Sequence, residues 1–326
     1  MQDFRRYIVI YISAFLLVSP DIHAQIAGIS CCDWMMLKRQ KLGQFQLMKD
    51  IGGDGGEMDV GPLGRRVMFE NRFRDNDKET TQFRQTAERL GIRVSSIAMS
   101  GFFAQTLIDR KFDEQTLADG TKVCKEHTAS ESDANYRSLI ADCLNTMEAF
   151  GAKVAFLPLG GSGREWQKGE GPEYEALCSR LHTFGEMAHK RGLTIGIRTA
   201  MPAAFSKRML DDINSSGIKI YYNFQDACDR FKAGHAPEAK TSTQLICDEL
   251  RALGTRRVCQ IHVSNTDSVT LRHDPYIDMP VVKKTLKKMR YRGWLTVERS
   301  RDAKNVRNVR ANYGDNVAYL KEIFGR

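Results

Sequence analysis

The sequence predicts a closed (β/α)8 barrel, a TIM barrel, formed by one domain that follows an N-terminal signal peptide. Three observations support this fold class. Short apolar segments alternate with helix-length amphipathic segments along the 326 residues. The apolar segments number eight, and they lack the polar alternation of strands that face water on one side. The amphipathic segments between them supply the crossover helices that parallel strand pairing requires.

The predicted strands are short runs of mainly aliphatic residues. In chain order they are Ile26–Cys31, Gly55–Val60, Arg93–Met99, Lys153–Leu159, Leu193–Arg198, Ile218–Asn223, Val258–Val263 and Trp294–Arg299. A doubly wound open sheet is the competing arrangement. We favour the barrel because no G-x-G-x-x-G follows the first strand and because eight units fit closure.

The predicted helices have apolar residues at helical spacing. They are Lys38–Asp50, Lys78–Leu90, Asn135–Phe150, Glu173–Arg191, Lys207–Asn214, Thr241–Leu253, Pro280–Arg290 and Val306–Phe324. Glycine follows the last turn in RLG, AFG, KRG, SSG, ALG and YRG, as is typical of helix C-termini. The long polar loop at about residues 101–133 is predicted to cover the site as a lid.

Residues 1–24 have the layout of a secretory signal peptide. Two arginines precede the apolar run YIVIYISAFLLV, and the small residue Ala24 stands just before Gln25. The run is too short to span a bilayer comfortably. We therefore expect an exported, periplasmic protein whose barrel domain comprises residues 25–326. A buried first strand or helix is the alternative reading of this segment.

The net charge of +9 favours anionic partners in general. Much of the excess lies in KKTLKKMRYR and RSRDAKNVRNVR, where the spacing places the lysines on the solvent face of amphipathic helices. We favour a solvated surface over a nucleic-acid patch. None of the eight cysteines forms a C-x-x-C pair, which excludes a zinc ribbon or a thioredoxin-type motif. Their pairing stays open.

The candidate site residues lie where the predicted strands end, because TIM-barrel chemistry occurs at the C-terminal ends of the strands. A carboxylate that closes a buried strand, such as Glu298, is costly unless it meets a cation or a donor. His262 is the only one of seven histidines that ends a predicted strand, although a hydrogen-bonded core histidine would fit as well. Glu57 and Asp59 either act in the site or brace the barrel rim by pairing with Arg198.

Five segments together resemble the xylose isomerase-like TIM barrels, a family of sugar phosphate isomerases and epimerases. They are DGGEMDVG, IGIRTA, IYYNFQDA, QIHVSNTD and GWLTVERS, and the resemblance extends over residues 26–326. In that family Glu, Asp, His and Glu at the ends of strands five to eight hold a divalent metal. The resemblance implies metal ligands at His262 and Glu298. Arg198 and Asn223 occupy the other two positions, so the set is incomplete.

Three explanations of this incomplete set remain open. A divalent metal (Mn, Mg or Zn) is bound through His262 and Glu298, with further ligands from the carbonyl of Gln225 or Asn223 and from Glu57 or Asp59. Alternatively, the site is metal-free, and Arg198 replaces the metal as the group that stabilises an enediolate. In the third explanation the barrel has lost catalysis and only binds a sugar.

We expect a sugar isomerase or epimerase that acts on a sugar or keto-sugar by proton abstraction next to a carbonyl. The catalytic candidates are Glu298 and His262 as the acid/base pair, Arg198 as electrophilic stabiliser and Glu57 as a second base. The substrate-binding candidates are Asn223, Gln225, Asn265, Asp267 and Arg301. The alternatives are a lyase or hydrolase-type elimination on keto-glycosides, or a non-catalytic periplasmic sugar-binding barrel.

The expected partner is a small-molecule carbohydrate. A phosphorylated sugar is disfavoured because sugar phosphates are scarce outside the cytoplasm. A nuclease on the same barrel would need several strand-end histidines and carboxylates around a metal cluster, and only His262 qualifies, so no nucleic acid is expected. No membrane is expected after signal removal. The oligomeric state is open, a homodimer included.

Overall fold

The computed structural model describes residues 26–61, 71–160, 164–264, 269–300 and 308–326. Eight parallel strands form a closed barrel, which confirms the predicted fold class. They are β1 (Gly28–Cys32), β2 (Gly55–Asp59), β3 (Arg93–Ala98), β6 (Val154–Pro158), β7 (Thr194–Arg198), β8 (Ile218–Asn223), β9 (Val258–Val263) and β10 (Trp294–Val297). Neighbours in the barrel follow chain order, and β1 pairs with β10 to close it. The predicted signal peptide lies outside the described residues.

The helices surround the barrel. They are α1 (Gly43–Asp50), α2 (Asp77–Leu90), α3 (Ala129–Phe150), α4 (Pro172–His189), α5 (Ala203–Ile213), α6 (Phe224–Lys232), α7 (Ser242–Arg257), α8 (Met279–Met289) and α9 (Val309–Phe324). Side-chain caps explain where several helices begin. Thr128 and Glu131, for example, form a capping box at the N-terminus of α3. The φ of 68° at Gly254 interrupts α7 close to its predicted end at Leu253.

Two elements were not predicted. An antiparallel hairpin of β4 (Lys111–Thr116) and β5 (Lys122–Glu126) occupies the segment that we predicted as an irregular lid. The short helix α6 begins directly after β8, where the Asn223 side chain accepts a hydrogen bond of 2.8 Å from the backbone N–H of Gln225. No glycine or proline separates β8 from α6, so the sequence carries no punctuation between the two elements.

The interior of the barrel holds a polar network as well as apolar packing. Buried aliphatic and aromatic residues fill the space between strands and helices. Inside the barrel the Nε2 atom of Gln260 lies within 2.9 Å of the hydroxyl oxygens of Ser96, Tyr221 and Thr296. Thr296 also exchanges a hydrogen bond of 2.8 Å with Ser30. These partners satisfy polar groups that burial would otherwise penalise, and they fix the side chains beneath the candidate site.

The N-terminal end of the barrel is occupied by Trp294. A Cβ atom at Gly28 would lie only 2.3 Å from the indole ring, so the first residue of β1 has to be glycine for the ring to fit. Arg93 stacks on the same ring, with its guanidinium carbon 4.4 Å from the ring centroid. This end lies opposite the strand ends that carry the predicted site.

Two properties bear on the chain as a whole. None of the helices in the described residues is long and apolar enough to cross a membrane. The seven cysteines whose side chains are described are free thiols, and six of them are buried. Their packing matches small buried hydrophobes rather than a disulfide framework.

Candidate active site

His262 stands between two carboxylates. It lies near the end of β9, and its Nε2 atom is 2.7 Å from the Oε1 atom of Glu57 on β2. On the other side of the ring, Nδ1 lies 3.9 Å from Oε1 of Glu298 and has no hydrogen-bond partner among the described residues. Both His262 and Glu57 are fully buried, and Glu298 is nearly so. The imidazole is therefore anchored at one nitrogen and free at the other.

Glu57 is held by four donors. Its Oε2 atom accepts hydrogen bonds of 2.7 Å from Ser96 and from Tyr221, and Oε1 accepts one of 3.3 Å from Cys32 besides the bond to His262. Burial, followed by the nearby charge of Glu57, raises the pKa of both Cys32 and Tyr221 well above their usual values. Both groups thus stay protonated and act as donors, which fixes the carboxylate in place.

Glu298 follows β10 and is ionised. Its Oε1 atom accepts a hydrogen bond of 3.1 Å from Nη1 of Arg198, and Oε2 accepts one of 2.7 Å from Nδ2 of Asn223. Burial by itself raises the pKa of Glu298, but Arg198, His262 and the Asn223 bond outweigh burial and lower the pKa to about 2. Glu298 is therefore a carboxylate at neutral pH.

Arg198, the last residue of β7, binds two carboxylates at once. Its Nε and Nη2 atoms lie 2.9 and 2.6 Å from the two oxygens of Asp226 in the first turn of α6, a bidentate pair, while Nη1 faces Glu298. Burial opposes its charge, but Glu298 and Asp226 more than compensate and raise the pKa of Arg198. Arg198 pairs with these two residues and not with Glu57, so the expected rim contact to Glu57 does not form.

An aromatic wall surrounds the imidazole. The rings of Tyr221 and Phe156 lie 4.4 and 4.5 Å from the His262 ring between centroids, and Trp34 approaches it edge-on at 6.3 Å. Phe103 is partly exposed and carries the Arg198 guanidinium 5.4 Å above its ring. These rings exclude water from the polar centre and offer flat apolar surface beside it.

The site does not fit the divalent metal that the family resemblance implies. The Arg198 guanidinium already contacts the Glu298 oxygen that lies nearest to His262 Nδ1. Asn223 turns its amide nitrogen, a donor, toward Glu298, whereas a metal needs acceptor atoms there. A cation and a donor therefore occupy the places of the two missing carboxylates, and no catalytic step below depends on a metal.

A second group of potential ligand atoms lies on the other side of His262. The side chains of Cys32, Glu57 and His262 offer sulfur, oxygen and nitrogen atoms within 4.8 Å of one another. Glu57 Oε1 accepts hydrogen bonds from both partners at 3.3 and 2.7 Å. Protons thus link the sulfur of Cys32 and Nε2 of His262 to the same carboxylate oxygen of Glu57 without an ion.

The remaining predicted residues take different positions. Gln225 lies on α6 and donates to Asp229 at 2.6 Å, and no described contact joins it to His262 or Glu298. Asp59 belongs to a separate buried group, where it pairs with Arg39 and accepts from the backbone N–H of Ser100 at 2.9 Å. Three predicted substrate-binding residues lie outside the described residues: Asn265, Asp267 and Arg301.

Asp226 and Cys32 are contacts of the site that the sequence analysis did not select. A usable signal existed for Asp226, since it lies in the first helical turn after Asn223 and so faces the same strand ends. Cys32 had a weaker signal, because it ends β1 immediately beside Cys31 and both read as small buried hydrophobes. Tyr221, two residues before Asn223 on β8, is a further hydrogen-bond donor to Glu57.

Solved structures with the same fold include enzymes that act on sugars. A xylose isomerase domain protein from Alicyclobacillus acidocaldarius is 12% identical, with a TM-score of 0.64 and coverage of 91% of this chain and 98% of that one. A 3-keto-D-glucoside 4-epimerase from E. coli is 14% identical, with a TM-score of 0.61 and coverage of 91% and 100%. An L-ribulose 3-epimerase is 13% identical, with a TM-score of 0.62 and coverage of 92% and 95%.

The TM-scores show a shared fold, and at identities of 12 to 14% they show the fold alone. No protein with a curated function matches the sequence. The family model described as xylose isomerase-like TIM barrel matches residues 45–323, which is most of the chain. The match covers all the helices and every barrel strand except β1, and it agrees with the resemblance seen in the strand-end segments. The chain belongs to the xylose isomerase-like TIM barrel family.

Proposed function

We propose that this protein is a sugar isomerase or epimerase that moves a proton at a carbon next to the carbonyl of a sugar or keto-sugar. The observation that carries the proposal is the buried His262 side chain. Its Nε2 atom is anchored by Glu57 at 2.7 Å, and its Nδ1 atom lacks a partner among the described residues. A positioned imidazole with one free nitrogen is the arrangement that general acid–base catalysis requires.

In the proposed reaction Nδ1 of His262 takes the proton from the carbon beside the carbonyl. The C–H electron pair forms the C=C bond of an enediolate, and the carbonyl π pair moves to oxygen. The imidazolium lies between the carboxylates of Glu57 and Glu298, which stabilise its positive charge. Return of a proton to the other face of the same carbon gives an epimer, and its return to the former carbonyl carbon gives an isomer.

Arg198 is the proposed stabiliser of the enediolate oxygen. A guanidinium carries five N–H groups, and the bonds to Asp226 and Glu298 leave one on each terminal nitrogen. A donor that is already fixed in place costs no reorganisation when charge develops on the oxygen. Glu298 and Asn223 act here as positioning residues, since Oε1 of Glu298 accepts from the guanidinium and Asn223 donates to Oε2 of Glu298.

The charge of the site supports an uncharged substrate. Arg198 faces two carboxylates, Asp226 and Glu298, and the buried carboxylate of Glu57 lies beyond His262. A phosphate or carboxylate group placed here would meet more negative than positive charge. We therefore favour a neutral sugar or keto-sugar over a sugar phosphate, in line with the expectation from the sequence.

Two structural neighbours support this substrate class without defining it. A 3-keto-D-glucoside 4-epimerase and an L-ribulose 3-epimerase share the fold, and both names describe inversion at a sugar carbon. Elimination from a keto-glycoside remains the alternative reaction, because it begins with the same proton abstraction and then expels a leaving group. A sugar-binding barrel without catalysis is the alternative from a different class.

The test is solvent deuterium exchange. A panel of neutral aldoses, ketoses and 3-keto-glycosides is incubated with the protein in D2O, and NMR follows the hydrogens beside each carbonyl. The proposal is supported if the wild-type protein catalyses exchange and the His262→Ala variant does so about 10²-fold or more slowly. Ser264→Ala is the matched control, since within the described part of the chain the Ser264 side chain makes only a long contact of 3.3 Å to Glu298. Binding of a sugar without exchange would contradict it, and release of an aglycone would identify the elimination.

A further inference from the structure

A second cavity lies at the N-terminal ends of the barrel strands, opposite the candidate active site. Its volume is about 770 Å3, and the residues around it include the starts of β3, β6, β9 and β10. The proposed reaction does not use this end of the barrel. The cavity is large enough for a small organic molecule, whereas the pocket beside Arg198 and Asn223 measures about 20 Å3.

The charges around this cavity are mainly positive. Arg84, Arg93, Lys153 and Arg292 line it, and Glu88 is the one acidic residue of the lining. Arg84, Lys153 and Arg292 make no hydrogen bond or ion pair with any described residue. Arginines elsewhere in the described chain are commonly paired, as in the Arg191–Glu148 ion pair. A group of unpaired cations at one cavity therefore needs its own explanation.

The cations converge through the tertiary structure and not through a charged run in the sequence. Arg84 comes from α2, Lys153 from the segment before β6, and Arg292 from the segment before β10. Cations near the C-terminal ends of helices offset the helix dipole. That effect applies at most to Lys153 and Arg292, each of which follows the last residue of a helix, α3 or α8, by three residues. It does not explain Arg84, which lies in the middle of α2, outside its last turn.

The floor of the cavity is flat and apolar. The Trp294 indole is partly exposed there and is backed by Gly28 and Gly55, at which a Cβ atom would clash with the ring. Arg93 lies over this ring and donates from Nη2 to the backbone oxygen of Ala27 at 2.7 Å, so its guanidinium plane is fixed. A fixed guanidinium and an indole together form a surface on which a planar group can stack.

We propose that this cavity is a second binding site, which takes an organic anion that carries a planar apolar group, such as an aromatic phosphate ester. The planar group stacks on the Trp294 and Arg93 surface. Its anionic group then pairs with Arg84, Lys153 and Arg292, which make no hydrogen bond or ion pair with any described residue. This site is independent of the proposed sugar chemistry, because none of its charged residues contacts His262, Glu298 or Arg198 in the described structure.

Calorimetry with three probes tests the proposal. 2-Naphthyl phosphate combines both features, 2-naphthol has only the planar group, and inorganic phosphate has only the charge. We expect 2-naphthyl phosphate to bind with one molecule per chain, and to bind about tenfold or more tightly than either of the other two. Its affinity should fall with added salt, because the charges lie at the surface. Equal affinity for 2-naphthol and 2-naphthyl phosphate would overturn the role of the cations.

Matched variants locate the site. Arg84→Gln/Arg292→Gln removes two charges at the cavity, and Lys284→Gln/Lys288→Gln removes two from the solvent face of α8. The first pair should weaken 2-naphthyl phosphate by about tenfold or more, and the second should leave the affinity within about twofold. Equal weakening by both pairs would overturn the proposal. His262→Ala should bind the probe normally, so failure of the sugar chemistry and failure of this site are distinguishable.

Discussion

His262 Nε2 lies 2.7 Å from Oε1 of Glu57, and both side chains are fully buried. The same oxygen accepts a second bond, from Cys32, while Ser96 and Tyr221 occupy the other oxygen. Each oxygen of Glu57 thus accepts from two side chains of the described residues. In our proposal Glu57 is a positioning residue for the imidazole, and His262 is the group that meets the substrate.

Replacing Glu57 with Gln tests this role. The amide oxygen can still accept from Nε2 of His262, but the negative charge that stabilises an imidazolium is lost. We expect the rate of substrate deuterium exchange to fall by about 10² to 10⁴-fold, and the acidic limb of its pH profile to move to lower pH. Ser96→Ala removes one hydrogen-bond donor from Glu57 and should lower the exchange rate by less than about tenfold. An unchanged pH profile in Glu57→Gln would contradict the positioning role.

Restoring the two missing carboxylates tests the assignment of the metal position. Arg198→Glu/Asn223→Asp removes the guanidinium from the Glu298 oxygen that it now contacts at 3.1 Å and supplies two acceptors. We expect the variant to bind Mn2+ about 100-fold or more tightly than the wild-type chain, since a neighbouring cation opposes a dication by several kcal/mol. Isothermal titration calorimetry measures this, with circular dichroism as the check on folding.

The control for that experiment adds His262→Ala to the double variant, which should abolish the gained affinity. Asn223→Asp alone should gain little affinity for Mn2+, because the Arg198 guanidinium stays in place. Tight Mn2+ binding by the wild-type chain, lost in His262→Ala, would show that the ion binds despite Arg198 and would assign Arg198 a supporting role.

The ionised state of Glu298 should make stability depend on pH in a defined window. Its pKa is lowered from 4.5 to about 2, so its ionisation stabilises the folded state above pH 4.5, and that contribution is lost as the pH falls toward 2. The difference in free energy of unfolding between the wild type and Glu298→Gln should shrink across this window by on the order of 3 kcal/mol. Urea denaturation at pH 7, 5, 4 and 3 measures it, and a constant difference would contradict the assignment.

A buried ion pair beside the site should contribute more to the free energy of unfolding than a surface pair does. Glu249 accepts from Arg230 at 2.6 Å and from Tyr222 at 2.7 Å, and both partners of the ion pair are largely buried. Glu249→Ala should lower the free energy of unfolding by about 3 to 5 kcal/mol, because it leaves Arg230 buried without its partner. Asp248→Ala, the adjacent residue in an exposed pair with Arg251, should cost less than about 1 kcal/mol. Similar losses in both variants would contradict this ranking.

The sequence was sufficient to locate the strands, because parallel strands buried on both faces are continuous apolar runs. The strands at Ile218–Asn223 and Val258–Val263 were predicted with their observed ends, and the others differ by a few residues. Helix ends at Gly91 and Gly151 were also predictable, since both glycines have positive φ beyond the last turn. The β4–β5 hairpin was missed because its two strands are largely polar. The helix α6 was missed, although Phe224, Ala227, Cys228 and Phe231 have helical spacing, because no glycine or proline separates it from β8.

The sequence by itself determined the fold class, the family and the residues at the strand ends. Among these were Arg198, Asn223, His262 and Glu298, which the structure brings into one group. Local pattern is enough for this, because the barrel places every strand end at the same face. The sequence also showed that an arginine and an asparagine occupy the positions where the family has metal-binding carboxylates.

Only the tertiary structure decided which charge faces which. Arg198 pairs with Asp226 and Glu298 rather than Glu57, and Glu57 instead anchors His262. Arg84 and Arg292 likewise line one cavity only because separate segments of the chain converge at the N-terminal end of the barrel. Electrostatic and hydrogen-bond energies depend on distances of a few ångströms between residues far apart in the chain. Spacing along the sequence does not contain those distances, so the roles within the site follow from the fold.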